Sequence, residues 1–210
     1  GAGGAVFRRV LVVVQFALSV FLIIGTLVVY KQMVYMKTKA LGYDKEQVLY
    51  IPLRGMTVRT YAALRQELRK DPRVLAVAAA SDLPCSIGSN SSGVRWDGKD
   101  PNQLVLVGMC GVDYDFLDVM KIELVEGRSF SREHQTDVTG AFLVNEEVRK
   151  LMNKPSVSGE AFSFAGRDGR VIGVMKNFHF EEMQSKIEPL AIYISSADGS
   201  PQWGGYALLR

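Results

Sequence analysis

Few of the side chains that usually perform acid–base, nucleophilic or metal chemistry occur in this 210-residue sequence. It has two histidines, His134 and His179, and two cysteines, Cys85 and Cys110. His134 lies in a charged stretch typical of a solvated surface, whereas His179 stands between two phenylalanines, which favours a packed turn residue over a base or ligand. In an oxidising compartment the two cysteines could pair. Otherwise they are separate thiols, one in a loop and one in an apolar strand.

Sequence motifs that carry known chemistry are also missing. The chain contains no GxxxxGK[ST] phosphate loop, no GxGxxG fingerprint, no HExxH pair, no GxSxG elbow and no CxxC pair. It therefore cannot hydrolyse ATP by a P-loop mechanism. Carboxylates are abundant, but their spacing does not show which of them converge in space. We predict that the chain is not an enzyme and that it binds no cofactor or metal of its own.

Charge is distributed unevenly along the chain, although the net charge is only +3. Residues 1–39 contain five basic residues and no acidic one. The remaining 20 basic and 22 acidic residues give residues 40–210 a net charge of −2. The aromatic residues are spread through predicted strands and helices and form no basic stacking surface. This pattern predicts no nucleic-acid partner.

An uncharged stretch of 21 residues runs from Val10 to Tyr30. As a helix it would be about 31 Å long, which matches the hydrocarbon core of a bilayer. A secretory signal peptide is the main alternative, but its apolar region usually spans about 7–15 residues and ends at small residues, whereas Tyr30 and Lys31 end this one. A helix buried in a protein core is the second alternative. We predict that residues 10–30 form a transmembrane helix in contact with lipid.

The basic residues around this stretch do not decide its orientation. Arg8 and Arg9 favour a cytoplasmic N-terminus. Lys31, Lys37 and Lys39 lie close enough on the other side to favour the opposite orientation. The charge count therefore leaves the topology open.

The helical pattern continues beyond Tyr30 without a breaker until Gly42, which is a natural helix stop. Residues 31–42 are thus predicted to be a helical stalk, and residues 1–9 a short N-terminal stub. The stalk is either a helix end at the lipid surface or a rigid connection to the following body. The residues expected to anchor the helix in the membrane are Leu11, Phe16, Leu18, Phe21, Leu22, Ile23 and Leu27, and those expected to form the stalk are Gln32, Tyr35, Lys37 and Lys39.

Residues 43–210 contain many short apolar strands and short helices, which predicts an α+β body. Strands are predicted over residues 47–52, 74–80, 104–112, 121–126, 141–144, 190–194 and 206–209, and helices over residues 58–70, 114–120, 146–152 and 180–187. The first strand, helix and strand have the size of a βαβ unit, although an antiparallel return is also possible. The last strand reaches the end of the sequence, so we expect the domain to be incomplete at its C-terminal end.

Local signals predict how several of these elements begin and end. Thr57, Asp113 and Asn145 are expected to cap helices. A hairpin between residues 162–164 and 171–174 is expected to turn at Asp168-Gly169. The polar stretch Ser81 to Gly93 predicts a mobile loop that could face a partner.

Six short sequence motifs, called phrases below, follow one another along the chain. They are Arg8-Arg-Val-Leu-Val-Val-Val-Gln-Phe-Ala-Leu-Ser19, Leu41-Gly-Tyr-Asp44, Val112-Asp-Tyr-Asp-Phe-Leu117, Glu126-Gly-Arg-Ser-Phe-Ser131, Val144-Asn-Glu-Glu147 and Ile172-Gly-Val-Met-Lys-Asn-Phe-His-Phe180 with Pro189-Leu190. In these phrases the chain resembles permease subunits of the MacB/FtsX group of ABC transporters, especially the long forms found in Bacteroidetes. The resemblance extends from Phe7 to the end of the sequence.

The resemblance implies a transmembrane helix that leads into a MacB-like periplasmic core domain over residues 43–210, with a mixed α/β porter-like part and an inserted lobe. It implies location in the bacterial inner membrane, a cytoplasmic ABC ATPase that binds the ATP, and a second permease copy as a homo- or heterodimer partner. A periplasmic adaptor or substrate protein is a further expected partner. In such permeases ATP-driven dimerisation tilts the membrane helices, and the periplasmic domains move with them, which is called mechanotransmission.

Three functions follow from these features. The first is a permease fragment that transmits ATP-driven motion to a periplasmic domain. The second is a membrane-tethered periplasmic binding or sensor module without an ATPase partner. The third, a tethered hydrolase, is disfavoured because its motifs are missing.

Overall fold

The computed structural model describes residues 2–39, 41–55, 58–100, 102–181, 185–201 and 204–210. The chain divides into two compact units, residues 1–40 and residues 41–210. The first unit is a single long helix, and the second is a sheet-rich body.

The N-terminal unit is one uninterrupted helix, α1 (Ala2–Thr38), of 37 residues. At a rise of 1.5 Å per residue, a helix of this size is about 55 Å long. Its segment Gly3–Met36 is long and apolar enough to cross a membrane. None of the side chains described in this segment is buried, so α1 is not a buried core helix. The helix continues past Tyr30, as expected, and ends at Thr38, ahead of the predicted stop at Gly42.

The second unit consists of short elements. Its strands are β1 (Leu49–Leu53), β2 (Val77–Ala80), β3 (Asn90–Ser91), β4 (Arg95–Trp96), β5 (Val107–Val112), β6 (Leu124–Gly127), β7 (Ala141–Asn145), β8 (Ala161–Phe164), β9 (Arg167–Met175), β10 (Leu190–Ile194) and β11 (Gly205–Leu209). Its helices are α2 (Val58–Leu68), α3 (Phe116–Met120), α4 (Thr136–Gly140) and α5 (Glu146–Met152). The predicted mixed α/β body is therefore confirmed, with most element bounds shifted by a few residues.

The strands of the described residues form one eleven-stranded sheet in the order β1-β11-β2-β5-β10-β7-β9-β8-β4, with β3 paired to β5 and β6 to β9. The described residues of 41–210 therefore form one compact unit around this sheet.

The first strand–helix–strand unit is split by a strand from the C-terminal end. Both β1 and β2 pair antiparallel with β11, where Leu209 lies opposite Leu49 on one side and Val77 on the other. Because β1 and β2 both run antiparallel to β11, they run parallel to each other, but they do not pair directly. The βαβ interpretation is therefore correct in direction, but the two strands are not neighbours.

The helices cover both faces of the sheet. On one face α3 contributes Phe116 and Met120 to the largest cluster of buried side chains. On the opposite face α5 packs through Val148 against the central strands, and α2 packs through Tyr61 against β2 and β11. Alternate residues of β2 and β5 point into the two sets of clusters, as the pleat of a strand requires.

The β8–β9 hairpin does not turn at Asp168-Gly169, so that prediction was wrong. Phe164 pairs with Arg167, and the two residues between them, Ala165 and Gly166, have φ angles of 48° and 79°. Positive φ at both positions is what a two-residue type I′ turn requires. Gly169 lies inside β9, where a Cβ atom would be 2.0 Å from the carbonyl oxygen of Gly140.

Further differences concern short elements. Asp113 does not cap a helix through its side chain, because α3 begins only at Phe116. Of the helix predicted over residues 180–187, the described residues 180–181 and 185–187 are not helical. Residues 182–184 lie outside the described residues, as does the predicted cap Thr57. Elements α4, β3 and β4 were not predicted, since two- to five-residue segments show no periodicity. Cys85 is exposed, Cys110 is buried in β5, and both thiols are free.

Candidate functional site

The seven predicted anchor residues all lie on α1 with exposed side chains. At 100° per residue, Leu11, Leu18 and Leu22 share one face of the helix, and Phe16, Ile23 and Leu27 lie on the nearly opposite face, with Phe21 between the two sets. The helix is therefore apolar around most of its circumference, which is typical of a helix surrounded by an apolar medium.

The predicted stalk residues lie at the end of this helix. Gln32 and Tyr35 belong to the last turns of α1. Lys37 is helical, but its side chain lies outside the described residues. Lys39 follows the helix, and its backbone N–H donates to the carbonyl oxygen of Tyr35 at 2.9 Å.

The entry segment, residues 41–44, follows α1 and is held firmly by the body. The N–H of His179 donates to the carbonyl oxygen of Leu41 at 2.8 Å, and the N–H of Asp44 donates to the carbonyl oxygen of Met120 at 3.0 Å. Backbone hydrogen bonds at both ends hold the segment in place without relying on its side chains.

The two central residues of the entry segment pack against the buried Phe178. The ring of Tyr43 contacts Phe178 edge to face, with 6.0 Å between centroids, and burial raises the pKa of Tyr43 to about 12. Gly42 has a φ of 84°, and a Cβ atom there would lie 2.5 Å from the carbonyl oxygen of Asn177 and 2.8 Å from the Cα of Phe178. Only glycine fits this approach of two backbones.

The carboxylate of Asp44 connects the entry segment to two distant elements. Its Oδ2 accepts from Lys121 Nζ at 3.0 Å and from Arg210 at 2.9 Å. Arg210 also donates to the carbonyl oxygens of Asp44 at 2.6 Å and Val119 at 2.7 Å. The hydrogen bond from Lys121, followed by those from the N–H of Glu46 and from Arg210, lowers the pKa of Asp44 to about 2.

The segment that receives Gly42 and Tyr43 is itself fixed by α5. The N–H of Asn177 donates to Glu146 at 2.9 Å, and its side-chain amide donates to Glu147 at 2.7 Å. Both glutamates lie in the first turn of α5, where Asn145 caps the helix as predicted. The entry segment is thereby tied through neighbouring residues to the centre of the sheet.

A second polar cluster joins α2 to the end of β5. The fully buried carboxylate of Asp113 accepts from the Tyr61 hydroxyl at 2.9 Å and from Arg132 at 2.9 Å, with Arg65 at 3.5 Å. Arg65 and Arg132 also pair with Asp115, and Arg69 adds a third contact to it at 3.2 Å.

Two carboxyls in this cluster have opposite pKa shifts. Burial raises the pKa of Asp113, and the charges of Arg65 and Arg132 act in the opposite direction without cancelling it. Burial alone would also raise the pKa of Asp115, but the hydrogen bonds and charges of Arg132 and Arg65 outweigh it and hold that pKa below its usual range. Among the described residues, every cation in contact with Asp113 or Asp115 is an arginine. This pairing favours a structural role for the two carboxylates.

Two further carboxylates hold loops against the sheet. Asp137 forms a two-point ion pair with Arg128, with both distances at 2.7 Å, and accepts from the N–H of Ser131. Glu126 accepts from the N–H groups of Val157 and Ser158 at 3.1 and 2.9 Å. Of these residues, Glu126, Arg128 and Ser131 belong to the Glu126–Ser131 phrase noted in the sequence.

The potential catalytic residues do not come together. His134 is exposed, whereas His179 is half-buried beside the entry segment. Within the part of the chain that the structure describes, no group of three or more His, Cys, Asp or Glu side chains could hold a metal ion. Among the described residues, the geometry brings together a set of groups that hold the entry segment.

Sequence reasoning assigned no role to Asp44, Arg132 or Arg210, and it assigned Asp113 only the role of a helix cap. The phrases that carry the resemblance contain Asp44 and Asp113, and this was the only signal available. Asp44 and Arg210 are 166 positions apart, so no local pattern could connect them.

The matching family model is described as the MacB-like periplasmic core domain, and it covers residues 10–206. Among curated proteins, no relative matches the chain significantly.

Two solved structures share the fold. The periplasmic region of MacB from Actinobacillus actinomycetemcomitans is 16% identical and has a TM-score of 0.53, over 80% of this chain and 76% of that chain. The extracellular domain of the noncanonic ABC-type transporter YknZ from Gram-positive bacteria is 17% identical and has a TM-score of 0.50, over 78% of this chain and 81% of that chain.

Proposed function

This chain belongs to the family of MacB-like periplasmic core domains of ABC transporter permeases, and from this premise we propose that it transmits ATP-driven motion across the inner membrane. In this proposal residues 1–9 are a cytoplasmic stub, residues 10–30 cross the membrane, residues 31–42 form the stalk, and residues 43–210 lie in the periplasm. ATP is bound by a separate cytoplasmic ATPase, and a second permease copy completes the dimer.

The observation that carries this proposal is the firm hold of the body on the entry segment. A helix can pass displacement to a domain only if it is stiff and if its end is fixed in that domain. Helix α1 is uninterrupted over 37 residues. The next described residues, 41–44, are fixed by two backbone hydrogen bonds, by the packing of Gly42 and by the ion pairs of Asp44.

The ion pairs that connect helices and loops to the sheet support a mechanical role over a catalytic one. Family members of this kind are periplasmic domains of transporter permeases, which are not enzymes in the usual sense. The cluster around Asp113 and the pair Arg128–Asp137 connect helices and loops to one sheet. A displaced entry segment would therefore move the body as one piece.

The test interrupts α1 between the membrane segment and the body. Lys37→Pro removes a helical hydrogen bond and introduces a steric clash, which costs about 3 kcal/mol locally. In the full-length permease with its ATPase, we expect loss of transport and of stimulated ATPase activity, while the body stays folded. A Gly-Gly insertion after Thr38 should have the same effect.

Lys37→Ala is the matched control, because it removes the charge and keeps the helix; it should leave both activities close to wild type. Unaltered transport in Lys37→Pro would contradict the lever. If the full-length protein purified from native membranes carried no ATPase subunit, the tethered binding module would be favoured instead.

A further inference from the structure

A cleft of about 730 Å³ opens where β1 and β2 end. It shares no lining residue with the entry segment. Its volume lies within the range of about 300–1,000 Å³ that is typical of sites for small molecules. The cleft is therefore large enough to hold a molecule of drug size.

Aromatic and apolar side chains form much of the wall. Phe164 and Tyr193 lie together with 6.0 Å between ring centroids, and Met109 lies beside them in the lining. Tyr206 adds another ring and packs edge to face on Tyr50, with centroids 5.9 Å apart. These contacts hold the rings in place, so little side-chain freedom would be lost when a ligand packs on them.

One carboxylate in the cleft has no cationic partner among the described residues. Asp82 is half-buried, and the hydroxyls of Ser81 and Ser89 both donate to its Oδ2, at 2.7 and 3.4 Å. Its Oδ1 receives no hydrogen bond from the described residues, and no described Lys, Arg or His lies within 4.0 Å of the carboxylate. By contrast, the half-buried or buried carboxylates Asp44 and Asp113 each have arginine partners.

Several groups act on Tyr193 in the aromatic wall. Burial raises its pKa, the charge of Arg167 acts against this, and Cys110 and then Asp82 add smaller contributions in the same direction as burial. The guanidinium of Arg167 already lies 4.8 Å from the ring centroid of Tyr193. The guanidinium therefore helps to hold this ring in place.

Arg54 lies at the exposed rim of the cleft and forms no ion pair with any described residue. The cleft therefore presents a negative group inside its lining and a positive group at its rim. Asp82 is the stronger recognition element, because it is half-buried and its Oδ1 accepts no hydrogen bond from the described residues, so a bound donor would supply one.

We propose that this cleft binds an amphipathic organic cation, whose amine pairs with Asp82 while its apolar part packs on Tyr193 and Phe164. Charge-assisted hydrogen bonds are about twice as strong as neutral ones, so the carboxylate selects the amine, and the aromatic rings favour the apolar part of the same ligand. The site does not depend on the proposed lever, since it lies wholly within residues 41–210.

The test uses dansylcadaverine, a fluorescent primary amine, and the uncharged dansyl pentylamide as its matched analogue. Binding is followed by fluorescence anisotropy with the full chain in phosphatidylcholine nanodiscs, after subtraction of empty nanodiscs. We expect dansylcadaverine to bind tighter than the uncharged analogue. Asp82→Asn should weaken dansylcadaverine by at least about ten-fold and leave the analogue unchanged.

Two further variants keep the test independent of folding. Glu133→Gln removes an exposed carboxylate outside the cleft and should not change the affinity for either probe. Ser89→Trp should fill the cleft and weaken both probes, with an unchanged unfolding temperature. Equal affinity for dansylcadaverine in wild type and Asp82→Asn, or tighter binding of the uncharged analogue, would overturn the proposal. The proposal would also be overturned if the anionic probe dansylglycine bound more tightly than dansylcadaverine and lost this binding in Arg54→Gln.

Discussion

Gly42 shows how one backbone position makes the entry segment possible. Its φ of 84° lies in the left-handed region, and the space where a Cβ would project is filled by the backbone of Asn177 and Phe178. Both constraints come from the body and not from neighbouring residues. The sequence marked this glycine as a helix stop, but the helix ends earlier, so its role is close packing.

We predict that Gly42→Ala destabilises the body by at least about 2 kcal/mol, because it adds a steric clash to the cost of a left-handed alanine. Gly55→Ala is the matched control: its φ is 62°, but no atom of the described residues lies within 4 Å of the added Cβ. It should cost only about 1 kcal/mol. Urea unfolding of the chain in detergent micelles measures both. Equal losses in the two variants would show that Gly42 is not closely packed.

Asn145 shows what a local signal can and cannot predict. Its Oδ1 accepts from the N–H of Val148 at 3.1 Å, which confirms the predicted N-cap. The same oxygen also accepts from the N–H of Leu190 at 3.0 Å, and the amide group donates to the carbonyl oxygen of Glu188 at 2.8 Å. The cap follows from the adjacent sequence, whereas the bonds to residues 188 and 190 depend on the placement of β10 beside β7.

At the scale of elements, Asp44 joins three parts of the chain that are far apart in sequence. Lys121 lies at the C-terminal end of α3, and Arg210 directly follows β11. Both donate to the same carboxylate oxygen. The entry segment, α3 and β11 are therefore held by one ionised side chain, and their connection should depend on its charge.

The low pKa of Asp44 predicts a pH dependence of stability. Its pKa is about 2 in the folded chain and near the ordinary 3.8 when unfolded. The stabilisation is therefore complete above the unfolded value and is lost as the pH falls towards 2. Wild type should unfold at higher urea concentration than Asp44→Asn at pH 6, and the difference should shrink between about pH 4 and pH 2.

Asp118→Asn, which alters an exposed aspartate of α3, should show no such pH-dependent difference from wild type. A gap between wild type and Asp44→Asn that stayed constant from pH 6 to pH 2 would show that the charge of Asp44 is not what holds these elements.

The shortest elements depend most on their surroundings. Helix α4 (Thr136–Gly140) contains threonines and a glycine, which are weak helix formers, and its Asp137 is fixed by Arg128. Strands β3 and β4 have two residues each and pair with β5 and β8. Such short segments adopt their structure because longer partner elements are already in place. Their own residues therefore carry little information that would predict a helix or strand.

For the whole molecule, the division at residue 40 separates two kinds of surface. Helix α1 exposes its apolar side chains, whereas the buried clusters of the body draw only on residues within 41–210. The buried clusters of the described residues therefore lie within the body, together with the contacts of the entry segment.

We predict that the excised fragment 41–210 folds without α1 and unfolds cooperatively within a few degrees of the body in the full chain. The shorter fragment 45–210 is the control. It lacks the Tyr43–Phe178 contact and the ion pairs of Asp44, so it should unfold at a lower temperature. Circular dichroism against temperature measures both. Aggregation or absent tertiary structure in fragment 41–210 would show that the body needs its helix.

The sequence alone determined the long apolar helix, most of the strands and helices of the body, and the cap at Asn145. These features follow from local periodicity and from neighbouring residues, which a single chain displays directly. The family phrases indicated the fold, although they assigned no role to the residues in them.

Only the tertiary structure decided which strands are neighbours, where the β8–β9 hairpin turns, and which charges meet. Strand β11 enters between β1 and β2, Arg210 reaches Asp44, and Asp82 shares a cleft with Tyr193. Each of these depends on contacts between residues far apart in the chain. Such contacts arise from the packing of the assembled core, and no periodicity in the sequence encodes them.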